Sequence, residues 1–237
     1  MTIPRPRNRL LASLEPEDFA LLAPHLNLVT LRKGALLFDP GAMIETVYFP
    51  ESAMISMMTL LESGEAIESA TIGREGAVGL KAAVGPRQSL SRAIVQAPGE
   101  GYRIGAGALR TAWARSGVIR DLFDRHDEAL FGHVIQSVAC NALHSVEARF
   151  GRWLLCCHDR IDSGTVSLTQ EFLADMLGVQ RTTVTAAARM LQSAGLIRYR
   201  RGIVDILDRP GLEAISCECY GAVRRNYDRL LPAAFSR

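Results

Sequence analysis

The chain has 237 residues, a formal net charge of +2 and 48% apolar residues, which suffices for two packed domains. It has no apolar run of about 18 residues or more, so we expect no transmembrane helix and no membrane partner. No apolar stretch follows the N-terminal charges as it would in a secretory signal, and we therefore expect a cytoplasmic protein.

The N-terminal half is predicted to consist mostly of strands. Residues 1–13 are typical of a flexible arm whose arginines are solvated, and residues 15–22 predict a short helix. Short runs rich in β-branched and aromatic residues then continue to residue 105, separated by turns that contain Gly and Pro. This spacing favours an antiparallel jelly roll over residues 14–115.

A long helix is predicted over residues 116–144, a segment that contains no proline. Its apolar residues recur at steps of three and four, and a helix of this length with no core of its own needs a partner. We expect one face on the jelly roll and another on a second copy of the chain, although the heptads are imperfect. The predicted dimer interface comprises Ile119, Phe123, His126, Leu130, Val134 and Val138.

Two shorter amphipathic helices follow, joined by a glycine turn. The first has an N-cap at Thr169, Glu171 in its first turn and a break at Gly178. The second has apolar residues at helical spacing from Val184 to Leu191. This pattern indicates a helix-turn-helix, whose second helix enters a DNA major groove. An ordinary helical hairpin in a core, with solvated arginines, is the alternative.

The helix-turn-helix segment is strongly basic. Residues 176–204 contain no Asp or Glu, whereas a DNA-binding surface needs local positive charge because phosphate neutralisation supplies most non-specific affinity. After Gly195, two short strands around Arg200, Arg201 and Gly202 predict a hairpin. Its arginines are suited to phosphates or an adjacent minor groove, while its apolar residues close the core of the small domain.

Three segments resemble the Crp/Fnr family of bacterial transcription regulators. The winged helix-turn-helix of that family is similar to the segment QEFLADMLGVQRTTVTAAARMLQSAGLI. Its jelly-roll effector domain is similar to LRKGALLFDPGAMIETVYFPESAMISMM and TIGREGAVGL. The resemblance implies an α+β fold with a cyclic-nucleotide-binding-like jelly roll, a dimerisation helix and a winged helix-turn-helix over residues 145–237.

The resemblance also implies the partners. They are double-stranded DNA carrying an inverted-repeat operator, a second copy of the chain, and RNA polymerase. Base contacts are expected from Gln180, Arg181, Thr182, Thr185 and Arg189. Phosphate contacts are expected from Thr183, Arg198, Arg200 and Arg201, with Thr169 completing the DNA-binding set. Well-studied members have Glu and Arg where this chain has Thr182 and Ala186, so we expect a different operator.

The effector is expected to differ from cyclic AMP bound in the usual way. Cyclic-nucleotide-binding members have a Gly-Glu pair for the ribose and Arg-Ser or Arg-Thr for the phosphate. Here Gly79 precedes Leu80, and Arg92 precedes Ala93. An apolar residue against ribose hydroxyls leaves them unpaired, which is costly. The candidate effector residues are Glu75 and Arg92, with a surface turn and one ion pair as the alternative, and the effector itself is an unidentified small molecule or absent.

Neither a metal site nor catalytic residues are expected. Five cysteines, an odd number, in a chain without a secretory signal predict reduced thiols. None of them lies before Cys140, which does not support the N-terminal iron–sulfur mechanism known in this family. A pairing of Cys217 and Cys219 with Cys156 and Cys157 matches no common zinc spacing. No nucleophile elbow, P-loop or paired-carboxylate motif is present.

Two classes of function therefore remain. The sequence favours a homodimeric, sequence-specific DNA-binding regulator that is not an enzyme and needs no cofactor. The alternative is a ligand-binding or protein-interaction module that keeps the same fold without binding DNA.

Overall fold

The computed structural model describes residues 6–85, 87–161 and 165–231, apart from the side chain of Ser167. Two antiparallel sheets form the N-terminal domain, one of order β1-β7-β3 and one of order β2-β6-β4-β5. The strands are β1 Asn27–Leu31, β2 Leu36–Phe38, β3 Thr46–Pro50, β4 Met54–Leu60, β5 Ala66–Ile72, β6 Arg92–Ala97 and β7 Gly99–Gly105. The predicted jelly roll is confirmed, and its strands lie where the β-branched and aromatic runs place them.

Three helices pack against this domain. They are α1 Arg9–Ala12, α2 Pro16–Leu22 and α3 Ala106–Arg115, with single 3-10 turns at Ala23–His25 and Leu80–Ala83. The short helix predicted over residues 15–22 corresponds to α2. Among the residues described, none of the helices combines the length and apolar character required to cross a bilayer.

Residues 6–13 are packed rather than forming part of a flexible arm. Asn8 is fully buried, and its side-chain amide donates to the carbonyl oxygens of Pro50 and Gly76 at 2.9 and 2.8 Å. Leu10 and Leu11 enter the jelly-roll core. The prediction of an arm over residues 1–13 fails here because these leucines bury apolar surface; residues 1–5 lie outside the described residues.

The predicted long helix is α4, Gly117–Leu143. Ser116 caps it, since its hydroxyl accepts a hydrogen bond from the N–H of Ile119 at 3.0 Å and donates to Asp18 at 2.6 Å. The first half of α4 packs against the jelly roll through Ile119, Leu122 and Phe123. The helix is therefore anchored to the N-terminal domain on one side.

The C-terminal domain is a winged helix-turn-helix. Its elements are α5 Val146–Arg160, β8 Thr165–Ser167, α6 Gln170–Leu177, α7 Arg181–Ser193, β9 Ile197–Arg200, β10 Ile203–Ile206 and α8 Arg209–Ile215. The strands form a sheet of order β8-β10-β9, in which β8 adds to the predicted hairpin. Buried residues from α5, α6 and α7 make the core, including Trp153, Leu173 and Leu191.

The last helix, α9 Cys219–Leu230, returns to the N-terminal domain. Val223, Tyr227 and Leu230 join the jelly-roll core, and the amide of Asn226 donates to the carbonyl oxygen of Ala129 on α4 at 3.4 Å. The sequence prediction extends the C-terminal domain to residue 237, but the apolar face of α9 is buried elsewhere. Residues 232–237 lie outside the described residues.

The two domains share buried surface. Met54 and Met58 of β4 belong to the same apolar cluster as the helices of the C-terminal domain. Gly178, between α6 and α7, lies so close to β5 that an added Cβ would be 2.9 Å from Cδ1 of Ile67. The position of the helix-turn-helix is therefore set by the four-stranded sheet.

Candidate nucleic-acid interface

Helix α6 begins and ends at the predicted signals. The hydroxyl of Thr169 accepts a hydrogen bond from the N–H of Phe172 at 3.2 Å, which caps the helix. Gly178 adopts the left-handed conformation, with φ 60° and ψ 43°, and the N–H of Val179 then bonds to the carbonyl oxygen of Ala174 at 3.0 Å. This turn sets the angle at which α7 leaves α6.

Helix α7 has one buried and one exposed face. Val184, Ala187, Ala188 and Leu191 are buried against the domain core. The opposite face is exposed at Gln180, Arg181, Thr182, Ala186, Arg189 and Met190. Thr183 and Thr185 are half-buried, and the Thr185 hydroxyl donates to the carbonyl oxygen of Arg181 at 2.9 Å. An exposed helical face without acidic residues is what a major-groove reader requires.

Arg181 is held by an ion pair at the start of this face. Its guanidinium lies 2.7 Å from a carboxylate oxygen of Glu171, and both side chains are mostly exposed. Such exposed pairs contribute roughly 0–1 kcal/mol, so the pair can open without a large cost. Arg181 thus remains available to a phosphate or a base edge.

The hairpin of β9 and β10 places Arg201 beside the start of α6, and Arg198 and Arg200 on the side of Gln192 of α7. Arg201 and Gly202 both have positive φ, 48° and 78°, which is the backbone of a two-residue type I′ turn. Arg198, Arg200 and Arg201 are exposed. The N–H of Leu168 donates to the carbonyl oxygen of Gly202 at 2.6 Å, which ties the turn to the start of α6.

A groove separates the hairpin from the helix-turn-helix. It is lined by Thr169, Gln170, Glu171, Arg181, Tyr199, Arg201 and Gly202. The structure thus brings Thr169, Arg181 and Arg201 together on one surface, next to the exposed face of α7. That these residues contact DNA stays a prediction.

Most of the predicted dimer residues lie on the side of α4 that packs within its own chain. Ile119, Phe123 and His126 are buried within their own chain, and the N–H of Ala77 donates to Nε2 of His126 at 3.2 Å. Leu130 and Val134 are half-buried, and Val138 alone of the six is exposed. The apolar residues of α4 occupy more than one face, so their spacing did not distinguish the face that packs on the jelly roll.

The exposed apolar side of α4 is instead formed by Phe131, Ile135 and Val138, which are 64%, 53% and 68% exposed. They are four and three residues apart, so they lie on one face of the helix. Sequence reasoning missed Phe131 and Ile135. The signal was present, because the two residues precede Val138 at helical spacing.

The predicted effector residues do not converge on a site. The Glu75 carboxylate accepts a hydrogen bond from Nε of Arg160 on α5 at 2.8 Å, and both side chains are only 1% exposed. Arg92 pairs with Asp39 at 2.6 Å on the surface, where the two are 37% and 38% exposed. Glu75 therefore joins the domains instead of facing a ligand, because a buried carboxylate needs a partner charge.

A second buried carboxylate lies at the same domain interface. Glu68 of β5 accepts a hydrogen bond from the indole N–H of Trp153 at 2.8 Å and lies 2.6 Å from the Ser56 hydroxyl. Burial raises the pKa of Glu68 to about 7, against the opposing effects of those bonds and of Arg152 and Arg160. Burial and the same two arginines lower the pKa of the neighbouring His133. No local sequence pattern indicates this cluster, because its members come from both domains.

The cysteines form two groups. Cys156 and Cys157 are buried in the core of the C-terminal domain, where burial raises the pKa of each thiol. Cys217 and Cys219 instead lie next to Cys140 and His144. The metal set weighed and rejected from the sequence combined Cys217 and Cys219 with Cys156 and Cys157, whereas the structure places them beside Cys140 and His144.

Comparison with known proteins identifies the C-terminal domain. Residues 148–215 match the family of Crp-like helix-turn-helix domains. No curated protein is significantly similar to the chain.

Solved structures share the whole fold. FixK2 from Bradyrhizobium japonicum is 18% identical, with a TM-score of 0.68 over 81% of this chain and 98% of that one. A putative regulator of the crp/fnr family from Eubacterium rectale is 19% identical, with a TM-score of 0.66 over 87% and 96%. A CRP-family regulator from Thermus thermophilus is 20% identical, with a TM-score of 0.66 over 79% and 96%. The chain therefore contains a Crp-like helix-turn-helix domain and has the fold of the Crp/Fnr transcription regulators, as the sequence resemblance predicts.

Proposed function

We propose that this protein is a homodimeric regulator of transcription, without catalytic activity, that binds an inverted-repeat operator. The observation that carries the proposal is the exposed, acid-free face of α7 beside the arginines of the β9–β10 hairpin. The face has the width of one helix, which fits the major groove, and the hairpin arginines flank it at the position of a phosphate backbone. RNA polymerase as a further partner belongs to the same proposal.

Removing one arginine from α7 is expected to change sequence preference. Arg189→Ala should weaken operator binding by about 1–3 kcal/mol, roughly 5- to 150-fold, and relax the preference at one base pair per half-site. Arg200→Ala should weaken binding to all sequences alike and reduce the slope of log affinity against log salt by about one. Fluorescence anisotropy with selected and scrambled duplexes at several salt concentrations measures both effects.

Arg103→Ala is the matched control, because Arg103 is an exposed arginine on β7 of the jelly roll. This substitution also removes one arginine charge, at a position far from α7 in the sequence. Equal losses of DNA affinity in all three variants would show that only net charge matters. Salt-independent or absent binding would favour the alternative of a module that does not bind DNA.

The homodimer is proposed to form along the second half of α4. Phe131, Ile135 and Val138 leave a strip of apolar surface on a helix whose other side is covered, and a twin helix covers such a strip symmetrically. Two copies then present two α7 helices to half-sites about 34 Å apart. A second copy of the chain is thus the partner proposed for this strip, and an inverted-repeat operator itself requires two copies.

Charges placed on that strip should separate the two copies. We expect Ile135→Asp combined with Val138→Asp to give a monomer, and to weaken operator binding by about 100-fold because the second half-site no longer adds avidity. Sedimentation velocity and anisotropy measure the two effects. Val118→Asp, at a half-exposed position on the same helix, is the control and should remain dimeric. A dimer that survives the double substitution would place the interface elsewhere.

Regulation is proposed to act through a small molecule other than a cyclic nucleotide held in the usual way, if it uses a ligand at all. Leu80 is buried where the resemblance would require a ribose-binding carboxylate, and Arg92 is paired with Asp39. Because the sheet of the effector domain contacts α6 directly, a change in that sheet can shift the population of DNA-competent dimers.

A further inference from the structure

Four metal-ligating side chains meet where α4 ends and α9 begins. Cys140 and His144 lie four residues apart, at the last turn of α4 and its C-cap, and Cys217 and Cys219 lie at the connection into α9. Their three sulfur atoms and one imidazole nitrogen are all within 4.8 Å of one another. No other such group is found in the described parts of the chain.

We propose that Cys140, His144, Cys217 and Cys219 form a structural zinc site, with three thiolates and the Nδ1 of His144 as ligands. A Cys3His set is one of the standard donor sets of structural zinc. With Zn–S bonds of about 2.3 Å, the ligand atoms of a tetrahedral site lie about 3.8 Å apart. Two of the distances between ligand atoms are close to that value. They are 3.5 Å from Cys140 Sγ to Cys217 Sγ and 3.5 Å from Cys219 Sγ to His144 Nδ1.

The surroundings of the four ligands support the same assignment. His144 directs Nδ1 towards Cys219, and its Nε2 lies 3.2 Å from a carboxylate oxygen of Glu218. A ligating histidine ordinarily donates its second ring N–H to a carboxylate, which fixes its tautomer and orientation. The side-chain amide of Gln136 donates to the sulfur of Cys219 at 3.0 Å, as expected beside a thiolate. Ordinary buried thiols would require neither arrangement.

Burial and charge are also suited to a metal ion. The three cysteines are buried and reduced, whereas His144 is partly exposed. Three thiolates and one Zn²⁺ leave one negative charge, and Arg152 interacts electrostatically with both Cys140 and Cys217. Binding would release the thiol protons and fasten α9 to the end of α4.

Metal content and cobalt spectroscopy of the full chain test the proposal. We expect one zinc ion per chain by mass spectrometry after purification under reducing conditions. Replacement by Co²⁺ should give the visible bands of a tetrahedral cobalt ion and sulfur-to-metal charge transfer. Cys217→Ser and His144→Ala should lose the ion, whereas Cys157→Ala, which removes a buried thiol from the other group, should keep it.

Glu218→Gln provides a variant that leaves every ligand in place. It should retain the bound ion but weaken zinc affinity by about 10- to 100-fold in a chelator competition, because the outer partner of His144 is altered. A reduced, folded chain that takes up neither zinc nor cobalt would overturn the proposal. Undiminished metal content in Cys217→Ser and His144→Ala would do the same.

Discussion

Arg160→Ala is expected to destabilise the folded protein by about 3–5 kcal/mol, because it leaves the Glu75 carboxylate buried without its partner charge. The two side chains are each 1% exposed and their nearest atoms are 2.8 Å apart. Burial lowers the pKa of Arg160, but the nearby Glu75, Cys156, Tyr227 and Asp159 together raise it above its ordinary value, with Glu75 the strongest of the four. The free energy of unfolding by urea at neutral pH measures the loss.

The surface pair of Arg92 and Asp39 is the natural control. Its nearest atoms are 2.6 Å apart, but both residues are more than a third exposed. Arg92→Ala should therefore cost no more than about 1 kcal/mol. Replacing Glu75 and Arg160 together by Leu and Met should restore much of the stability lost in Arg160→Ala, since no unpaired charge then remains.

Similar losses in Arg160→Ala and Arg92→Ala would show that leaving Glu75 buried without Arg160 carries no extra cost. A double variant as unstable as the single one would attribute the loss to packing of the long arginine side chain. The Glu75–Arg160 pair joins the jelly roll to α5, so Arg160→Ala should also increase proteolysis between the domains.

The second large effect is a loss of stability as pH rises through neutrality, caused by Glu68. Its pKa is about 7 in the folded protein, against 4.5 for a carboxyl group exposed to water. The difference corresponds to about 3 kcal/mol. Below pH 4.5 the group is protonated in both states, and as pH rises towards 7 the unfolded chain releases the proton first. The stabilising contribution is therefore present at low pH and lost as pH rises through about 7.

The hydrogen bonds around Glu68 can also be satisfied when its carboxyl group is protonated. The Ser56 hydroxyl lies 2.6 Å from the Glu68 carboxyl and 2.5 Å from the amide oxygen of Gln96. A hydroxyl has one proton to donate, so protonated Glu68 can donate to Ser56 while Ser56 donates to Gln96. Ionisation would leave the Ser56 proton shared between two acceptors.

The Glu68→Gln variant separates the titration of Glu68 from that of every other group in the protein. The amide retains a donor towards Ser56 and an acceptor for Trp153. Between about pH 5 and pH 8, position 68 of the variant should therefore add almost nothing to the pH dependence of the free energy of unfolding. Subtracting its stability curve from that of the original chain should leave a fall of about 3 kcal/mol. Parallel curves would mean that Glu68 releases its proton at the same pH in the folded and unfolded states.

The C-terminal domain was the more predictable part of the molecule, because its signals are local. Thr169 and Gly178 mark the ends of α6 through short-range backbone chemistry, and the buried face of α7 follows from helical spacing alone. The strands of the jelly roll likewise follow from short runs bounded by turns. None of these features depends on knowing which distant segments meet.

The features that were missed depend on distant contacts. Glu75 pairs with Arg160, which is 85 residues away in the sequence, and Cys140 contacts Cys217 across a separation of 77 residues. Helix α4 is apolar on more than one face, so only packing shows that Phe123 is covered and Phe131 is exposed. The four-residue spacing of Cys140 and His144 was a usable local signal, but it identifies only half of a ligand set.

The return of α9 to the jelly roll means that the chain enters and leaves the DNA-binding domain at neighbouring points. One connection follows His144 and the other precedes Cys219, and the two residues are 3.5 Å apart at their closest polar atoms. A domain attached through two adjacent chain segments can turn about the line through them, but it cannot translate freely as it would on a single linker. Any ligand-driven motion of the recognition helices should therefore be a rotation with its pivot at this double attachment, and crosslinks placed there should leave that rotation intact while those across the Glu75–Arg160 interface should block it.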